Sequence, residues 1–233
     1  MPKVIIITGS RKGIGRLLAE SFLNEGYIVA GCSRGEADIH HSGYFHYRMD
    51  VAEENSVVHM VREVEKNHGA IDVLINNAGI ASMNLLTLTP HRTAENIINT
   101  NFMGTFLFTR EAGKRMMKKK SGRIINFTTV AVPFHLEGES IYAASKSAVE
   151  EFTKISAKEL GPFGITVNAI GPTPIRTDLI KNISEDKINA VVARQAIKRL
   201  GVIEDVMNLV RFFISESSAF VTGQIIYLGG VHP

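Results

Sequence analysis

Residues 3–15 read Lys-Val-Ile-Ile-Ile-Thr-Gly-Ser-Arg-Lys-Gly-Ile-Gly. Val4, Ile5, Ile6 and Ile7 are four β-branched residues in a row, with no polar residue alternating between them. Such a run reads as a short strand covered on both faces. It stops at Thr8-Gly9, and an amphipathic stretch begins at Ile14. Gly9, Gly13 and Gly15 lie at the junction, spaced Gly-x3-Gly-x-Gly. Glycines let a backbone turn tightly and approach a ligand closely. The helix that follows offers free N–H groups and a positive dipole end to a phosphate. An ordinary strand-to-helix turn has similar glycines, but this one follows the first strand of an alternating chain. Gly9, Ser10, Arg11, Lys12, Gly13, Ile14 and Gly15 are therefore the first candidate cofactor-binding residues.

Outward from this junction the pattern repeats. Short β-branched runs occur at 3–7, 27–32, 44–49, 71–75, 123–127, 165–169 and 224–228, and helical patterns at 14–24, 53–67, 92–117, 141–160 and 203–215. Gly26, Gly69, Gly122 and Gly164 stand where helices give way to strands, as helix-stop signals do. This alternation predicts an α/β fold: a doubly wound, parallel, seven-stranded sheet with helices on both faces, in one domain spanning 1–233.

The bulk composition agrees. In 233 residues, 45% are apolar, enough for a large core, and 21% are charged, too few for wholesale disorder. The net charge of +3 is small and scattered and carries no argument for nucleic acid. The run Lys118-Lys119-Lys120 reads as a solvated helix end. Cys32 is the only cysteine, so no internal disulfide forms. No secretory signal is recognisable, and no apolar run approaches the ~18 residues of a membrane span. A soluble, cytoplasmic protein is expected, with no membrane partner. His40-His41 and His46 lack an accompanying carboxylate or cysteine at a ligand spacing. They read as connection and strand residues, and no metal site is expected.

The second strand ends in Ser33-Arg34, with no acid nearby. An acid here, ~20 residues past the glycines, would hold the ribose 2′-hydroxyl of NAD. Ser33 and Arg34, with Arg11 and Lys12 in the glycine loop, instead suit a 2′-phosphate, because guanidinium forks match phosphate oxygens. The expected cofactor is NADP(H). Further on, Tyr142 and Lys146 stand four apart in a helical pattern and share a helix face. An ammonium beside a phenol, together with a cationic oxidised nicotinamide, would lower its pKa from about 10 toward the range useful for proton transfer.

Taken together, Thr8-Gly9-x3-Gly13-x-Gly15, Asp50-Val51, Asn76-Asn77-Ala78-Gly79, Asn101-Phe102-Met103-Gly104, Tyr142-x3-Lys146 and the 172–177 segment resemble the short-chain dehydrogenase/reductase family over essentially the whole chain. The resemblance implies a Rossmann fold and a set of roles. Tyr142 is the acid/base. Lys146 binds the nicotinamide ribose and lowers the tyrosine pKa. Asn101 supports a water relay to that lysine. Asp50 and Val51 contact adenine, and Asn77, Ala78 and Gly79 pass beside the adenosine ribose. Pro172, Ile175 and Thr177 lie by the nicotinamide amide and pyrophosphate. The substrate-orienting serine of the family falls thirteen residues before the tyrosine, where this chain has Thr129, with Thr128 as the fallback. The usual Pro-Gly after the sixth strand reads Pro172-Thr173-Pro174.

Within the family, residues 116–123 and Arg199-Leu200-Gly201 are most similar to 3-oxoacyl-(acyl-carrier-protein) reductases. That implies an acidic carrier protein as partner, with Lys120 at one basic docking position and Phe163 in place of a second. The family resemblance also implies a homo-oligomer, a tetramer or dimer pairing the helices at 92–117 and 141–160 and the C-terminal strand region. A reductase for a polyketide, sugar or steroid-like carbonyl, and a catalytically silent NADPH-binding regulator, are the alternative readings.

Overall fold

In the computed structural model, which describes residues 2–177, 180 and 183–232, strand and helix alternate along the chain. The strands are β1 (Val4–Thr8), β2 (Ile28–Ser33), β3 (Tyr44–Arg48), β4 (Ile71–Asn76), β5 (Gly122–Phe127), β6 (Ile165–Gly171) and β7 (Ile225–Tyr227). They form one sheet in the order β3-β2-β1-β4-β5-β6-β7, and every adjacent pair is parallel. The predicted α/β class, strand number and parallel pairing are therefore what the chain adopts.

The helices are α1 (Gly13–Asn24), α2 (Glu54–His68), α3 (His91–Ile98), α4 (Gly104–Lys119), α5 (Ala131–Phe134), α6 (Ser140–Leu160), α7 (Glu185–Arg194) and α8 (Ile203–Ile214). Ile6, Leu74 and Ile124 pack on one face of the sheet with Val61, Phe108 and Met116. Ile5, Ile7 and Val73 pack on the other with Leu18, Phe22 and Phe213. Each central strand thus buries both faces, which is why its sequence does not alternate. Among the described residues, no helix is long and apolar enough to cross a membrane.

Two features depart from the sequence reading. The helix expected over 92–117 is interrupted by a π-helical turn, Asn99–Met103, between α3 and α4. Such a turn adds a residue to the helical ring and re-aims the side chains within it, often at functional sites. The short α5 and the separate α7 were not foreseen; α5 has only four residues, too few to show a helical period.

The strand order reverses at β1/β4, the place where ligands bind in open α/β sheets. There the two outgoing loops are stapled together. Thr8 Oγ1 accepts the backbone N–H groups of Asn77 and Ala78, both at 3.0 Å. Asn77 Nδ2 donates to the carbonyls of Thr8 (3.0 Å) and Gly9 (3.3 Å). Gly15 makes this possible, since a Cβ there would lie 2.3 Å from Gly9 O and 2.4 Å from Asn77 Nδ2.

Candidate active site

A two-part cleft runs along the carboxyl ends of the strands. One recess, of about 430 Å³, is lined by Gly9, Arg11, Lys12, Gly13, Ser33 and Arg34 on one side and by Asp50, Val51, Asn77, Ala78, Gly79 and Thr177 on the other. The second cavity, of about 590 Å³, is lined by Thr129, Tyr142, Lys146, Pro172, Ile175 and Thr177 among others. Ile14, Asn77, Gly79 and Thr177 border both, so the amino end of α1 lies at the join. The two volumes suit a ligand with two ends and an anionic middle.

Most of the candidate residues meet in this cleft, but Ser10, Gly15 and Asn101 line neither part of it. Ser10 is fully buried, its N–H donates to Cys32 O (3.2 Å), and its hydroxyl is 2.9 Å from Tyr44 Oη. Gly15 serves the staple described above. Asn101, fully buried in the π-helical turn, holds the loop after β4 from beneath. Its Oδ1 accepts the N–H of Ile80 (2.8 Å), and its Nδ2 donates to Ile80 O (2.9 Å) and Ser145 Oγ (3.0 Å). Asp50 Oδ1 accepts the N–H of Ala52 at 3.0 Å, which fixes the turn after β3.

At the floor of the larger cavity, α6 presents Tyr142 and Lys146 on one face, as their spacing requires. Both are buried, 8% and 3% exposed. Lys146 Nζ donates to Phe127 O at 2.8 Å. The loop after β4 passes close by: a Cβ on Gly79 would lie 3.3 Å from Lys146 Nζ and 3.4 Å from Asn101 Oδ1. Burial pushes the Tyr142 phenol up to about 12, opposed by a hydrogen bond with the Thr129 hydroxyl and reinforced by the charge of Glu139. Burial alone pulls the Lys146 ammonium down to about 8. Burial dominates both groups. At neutral pH the phenol keeps its proton, the state a proton donor needs.

Thr129 and Thr128 separate clearly. Thr129 Oγ1 accepts the N–H of Ala131 (3.2 Å) and also engages the Tyr142 phenol. The Thr128 hydroxyl is instead bound to the carboxylate of Glu150, which also accepts from Tyr227 Oη (2.6 Å). Thr129 is the hydroxyl beside the tyrosine.

Several residues the sequence reading did not single out complete the site. Glu139 is buried in the wall of the cavity, and burial raises its carboxyl pKa against the pull of Lys187. Asn76 Nδ2 donates to Asn126 Oδ1 (2.8 Å), and Asn126 Nδ2 to Thr153 Oγ1 (2.8 Å), a buried amide ladder tying β4, β5 and α6 together. Buried polar groups of this kind carry no periodicity; only their position inside apolar strands marks them.

Lys120 lies elsewhere. It precedes β5, whereas Thr129 and Tyr142 follow that strand. Six residues of strand separate the two ends by about 20 Å. The expected docking position is therefore at the amino end of β5, opposite the carboxyl end that holds this chain's own site. Lys119 pairs with Asp72.

Residues 9–232 match a family model described as enoyl-(acyl carrier protein) reductase. The 3-oxoacyl-(acyl-carrier-protein) reductase FabG of Staphylococcus epidermidis is 35% identical over 240 residues, covering 99% of this chain and 98% of the relative. The structure of ElxO with NADP bound superposes with a TM-score of 0.90 at 32% identity, covering 99% of this chain and 98% of that one. Ligand-free aldohexose dehydrogenase of Thermoplasma acidophilum gives 0.89 at 29% identity, over 99% and 94% of the two chains. The chain belongs to the short-chain dehydrogenase/reductase family.

Proposed function

We propose that this protein is an NADPH-dependent carbonyl reductase acting on the 3-oxo group of an acyl thioester. The observation that carries the chemistry is the buried pair Tyr142 and Lys146 on one face of α6, with the Thr129 hydroxyl against the phenol. The FabG relative supports the substrate class. So do the apolar walls of the cavity, among them Met83, Leu136, Ile183, Ile188 and Val191, which suit an acyl chain better than a polyol.

The residues of the cleft fit the cofactor. Gly13, with φ +60°, brings the amino end of α1 to the join of the two recesses, where backbone N–H groups suit a pyrophosphate. Arg11, Ser33 and Arg34 border the smaller recess, and the end of β2 carries Ser33 and Arg34 where an acid would hold a ribose 2′-hydroxyl, which favours the 2′-phosphate of NADPH. Asp50, Val51, Asn77, Ala78 and Gly79 would flank the adenosine, and Pro172, Ile175 and Thr177 the nicotinamide end. When bound, the reduced nicotinamide supplies the hydride. Thr129 and Tyr142 hydrogen-bond the ketone oxygen, and the Tyr142 O–H protonates the alkoxide as it develops. The Lys146 ammonium steadies the phenolate left behind. Asn101 acts at one remove, fixing Ile80 and Ser145 around that pair.

An acyl carrier protein is the proposed partner. Self-association as a dimer or tetramer is supported by exposed apolar residues on the two faces of the molecule, Ile155 on α6 and Phe212 on α8. Replacing Tyr142 with Phe tests the mechanism: turnover should fall steeply while NADPH affinity is kept, and wild-type turnover would refute it.

A further inference from the structure

His46 sits outside the reacting centre, yet it ends a continuous chain of side-chain hydrogen bonds. Ser10 Oγ is 2.9 Å from Tyr44 Oη, and Tyr44 Oη is 2.9 Å from His46 Nδ1. On the far side of the ring, His46 Nε2 is 2.9 Å from Gly35 O and 3.2 Å from Ser33 Oγ. The Ser33 hydroxyl itself donates to Gly35 O at 2.6 Å. Tyr44 and His46 are two apart on β3 and so share a face; their rings stack with centroids 5.9 Å apart.

The strand beneath makes room for this chain. Gly31 of β2 pairs with His46. A Cβ on Gly31 would lie 2.2 Å from Ser10 Oγ and 2.5 Å from Tyr44 Oη, so any other residue there would expel the two hydroxyls. The proton count also closes. Gly35 O only accepts, so Nε2 carries a proton, and in the neutral ring Nδ1 accepts from the Tyr44 hydroxyl. The Ser10 hydroxyl is then left to donate to Tyr44 Oη.

The chain starts in the glycine loop and ends at the turn after β2, and Ser33, Arg34 and Gly35 of that turn border the smaller recess. Arg34 is held from its other side, its carbonyl accepting from Arg48 Nε at 3.2 Å. We propose that His46 is a positioning residue for the 2′-phosphate of the cofactor: through Nε2 it fixes the turn that presents Ser33 and Arg34, and through Tyr44 it registers that turn against the glycine loop. The proposal rests on the smaller recess being the adenosine end of an NADPH site.

Adenosine 2′,5′-bisphosphate and adenosine 5′-monophosphate, titrated into the full chain by calorimetry, separate the roles without any turnover. His46→Leu should weaken the bisphosphate roughly tenfold, the cost of freeing a hydrogen-bonded turn, and leave the monophosphate within about twofold. His46→Gln, whose amide can still donate to Gly35 O, should recover most of the loss. Tyr44→Phe, which keeps the ring and cuts the link to Ser10, should cost the bisphosphate about threefold, and it carries the test if His46→Leu does not fold. Equal weakening of both nucleotides, or of neither, overturns the proposal. Arg34→Ala tells the two failures apart. If it weakens the bisphosphate selectively while His46→Leu does not, only the role of His46 falls. If neither variant discriminates, the 2′-phosphate reading itself falls.

Discussion

The two halves of the cleft are built in opposite ways. The smaller recess is made of main chain, glycine and short polar side chains, stapled by hydrogen bonds around Thr8 and Asn77. Its basic groups, Arg11, Lys12 and Arg34, are exposed, and its one carboxylate, Asp50, is half-buried. The larger cavity is walled mostly by apolar side chains; Glu137, Lys187 and Arg194 at its border are exposed, but the ionisable groups at its floor and wall, Tyr142, Lys146 and Glu139, are buried. One half is organised to bind a charged ligand reversibly. The other holds its reactive groups out of water, where burial sets their proton affinities. Binding and chemistry should therefore respond to different substitutions.

The largest separation is expected at Tyr142. Tyr142→Phe removes the proton donor without changing packing, and turnover should drop by about 10³-fold. NADPH affinity, measured by fluorescence titration, should stay within about twofold. A parallel loss of affinity would mean that the two halves are not independent. The converse variant is Arg34→Ala: steady-state kinetics should show the KM for NADPH rising at least tenfold, from a lost charge-assisted contact, with kcat and the KM for NADH little changed.

Thr129 sharpens the comparison within the catalytic half. Thr129→Val keeps the shape and deletes the hydroxyl, so kcat/KM for the ketone should fall roughly tenfold or more. Thr129→Ser should stay within a few-fold of the parent.

The smallest effect, and the one opposite in sign, concerns stability. The Lys146 ammonium is held near 8 instead of its ordinary 10.5, so below pH 8 the fold carries the cost of a buried charge. Between about pH 8 and 10.5 the unfolded chain binds the proton more readily than the folded one, and that cost fades as pH rises. Lys146→Met should therefore abolish turnover yet stabilise the protein at pH 7 by roughly 2 kcal/mol, after the lost bond to Phe127 O is counted. In denaturant titrations the gap between variant and parent should close as the pH approaches 10.5. A destabilised variant at pH 7 would contradict the burial argument.

The halves also differ in how much of them the sequence discloses. The glycine loop, Ser33 and Arg34 are short motifs beside recognisable strands, so residue spacing was enough to find them, and the Asn77 turn was found through its family resemblance. Tyr142 and Lys146 were legible as an i, i+4 pair on one helix only because the other family motifs converge with them. Their proton affinities were not, because those depend on what folds over them from elsewhere in the chain. Asn101 shows the same limit: periodicity placed it on a long regular helix, whereas the π-helical turn buries it beneath Ile80. Lys120 looked like an entrance residue from local resemblance, and only the direction of β5 reveals it at the amino end of that strand, away from Thr129 and Tyr142. His46 read as a plain strand residue, because its partners Ser10, Ser33 and Tyr44 meet only when β1, β2 and β3 lie side by side.

The central claim is tested most directly by following the loss of reduced-nicotinamide absorbance with a short 3-oxoacyl thioester, NADPH and NADH being run in parallel. Rapid oxidation of NADPH, with NADH at least tenfold less efficient, is the predicted result. Binding of NADPH without oxidation by this thioester or by other ketones would contradict the account, and would leave a silent nucleotide-binding protein in place of a reductase.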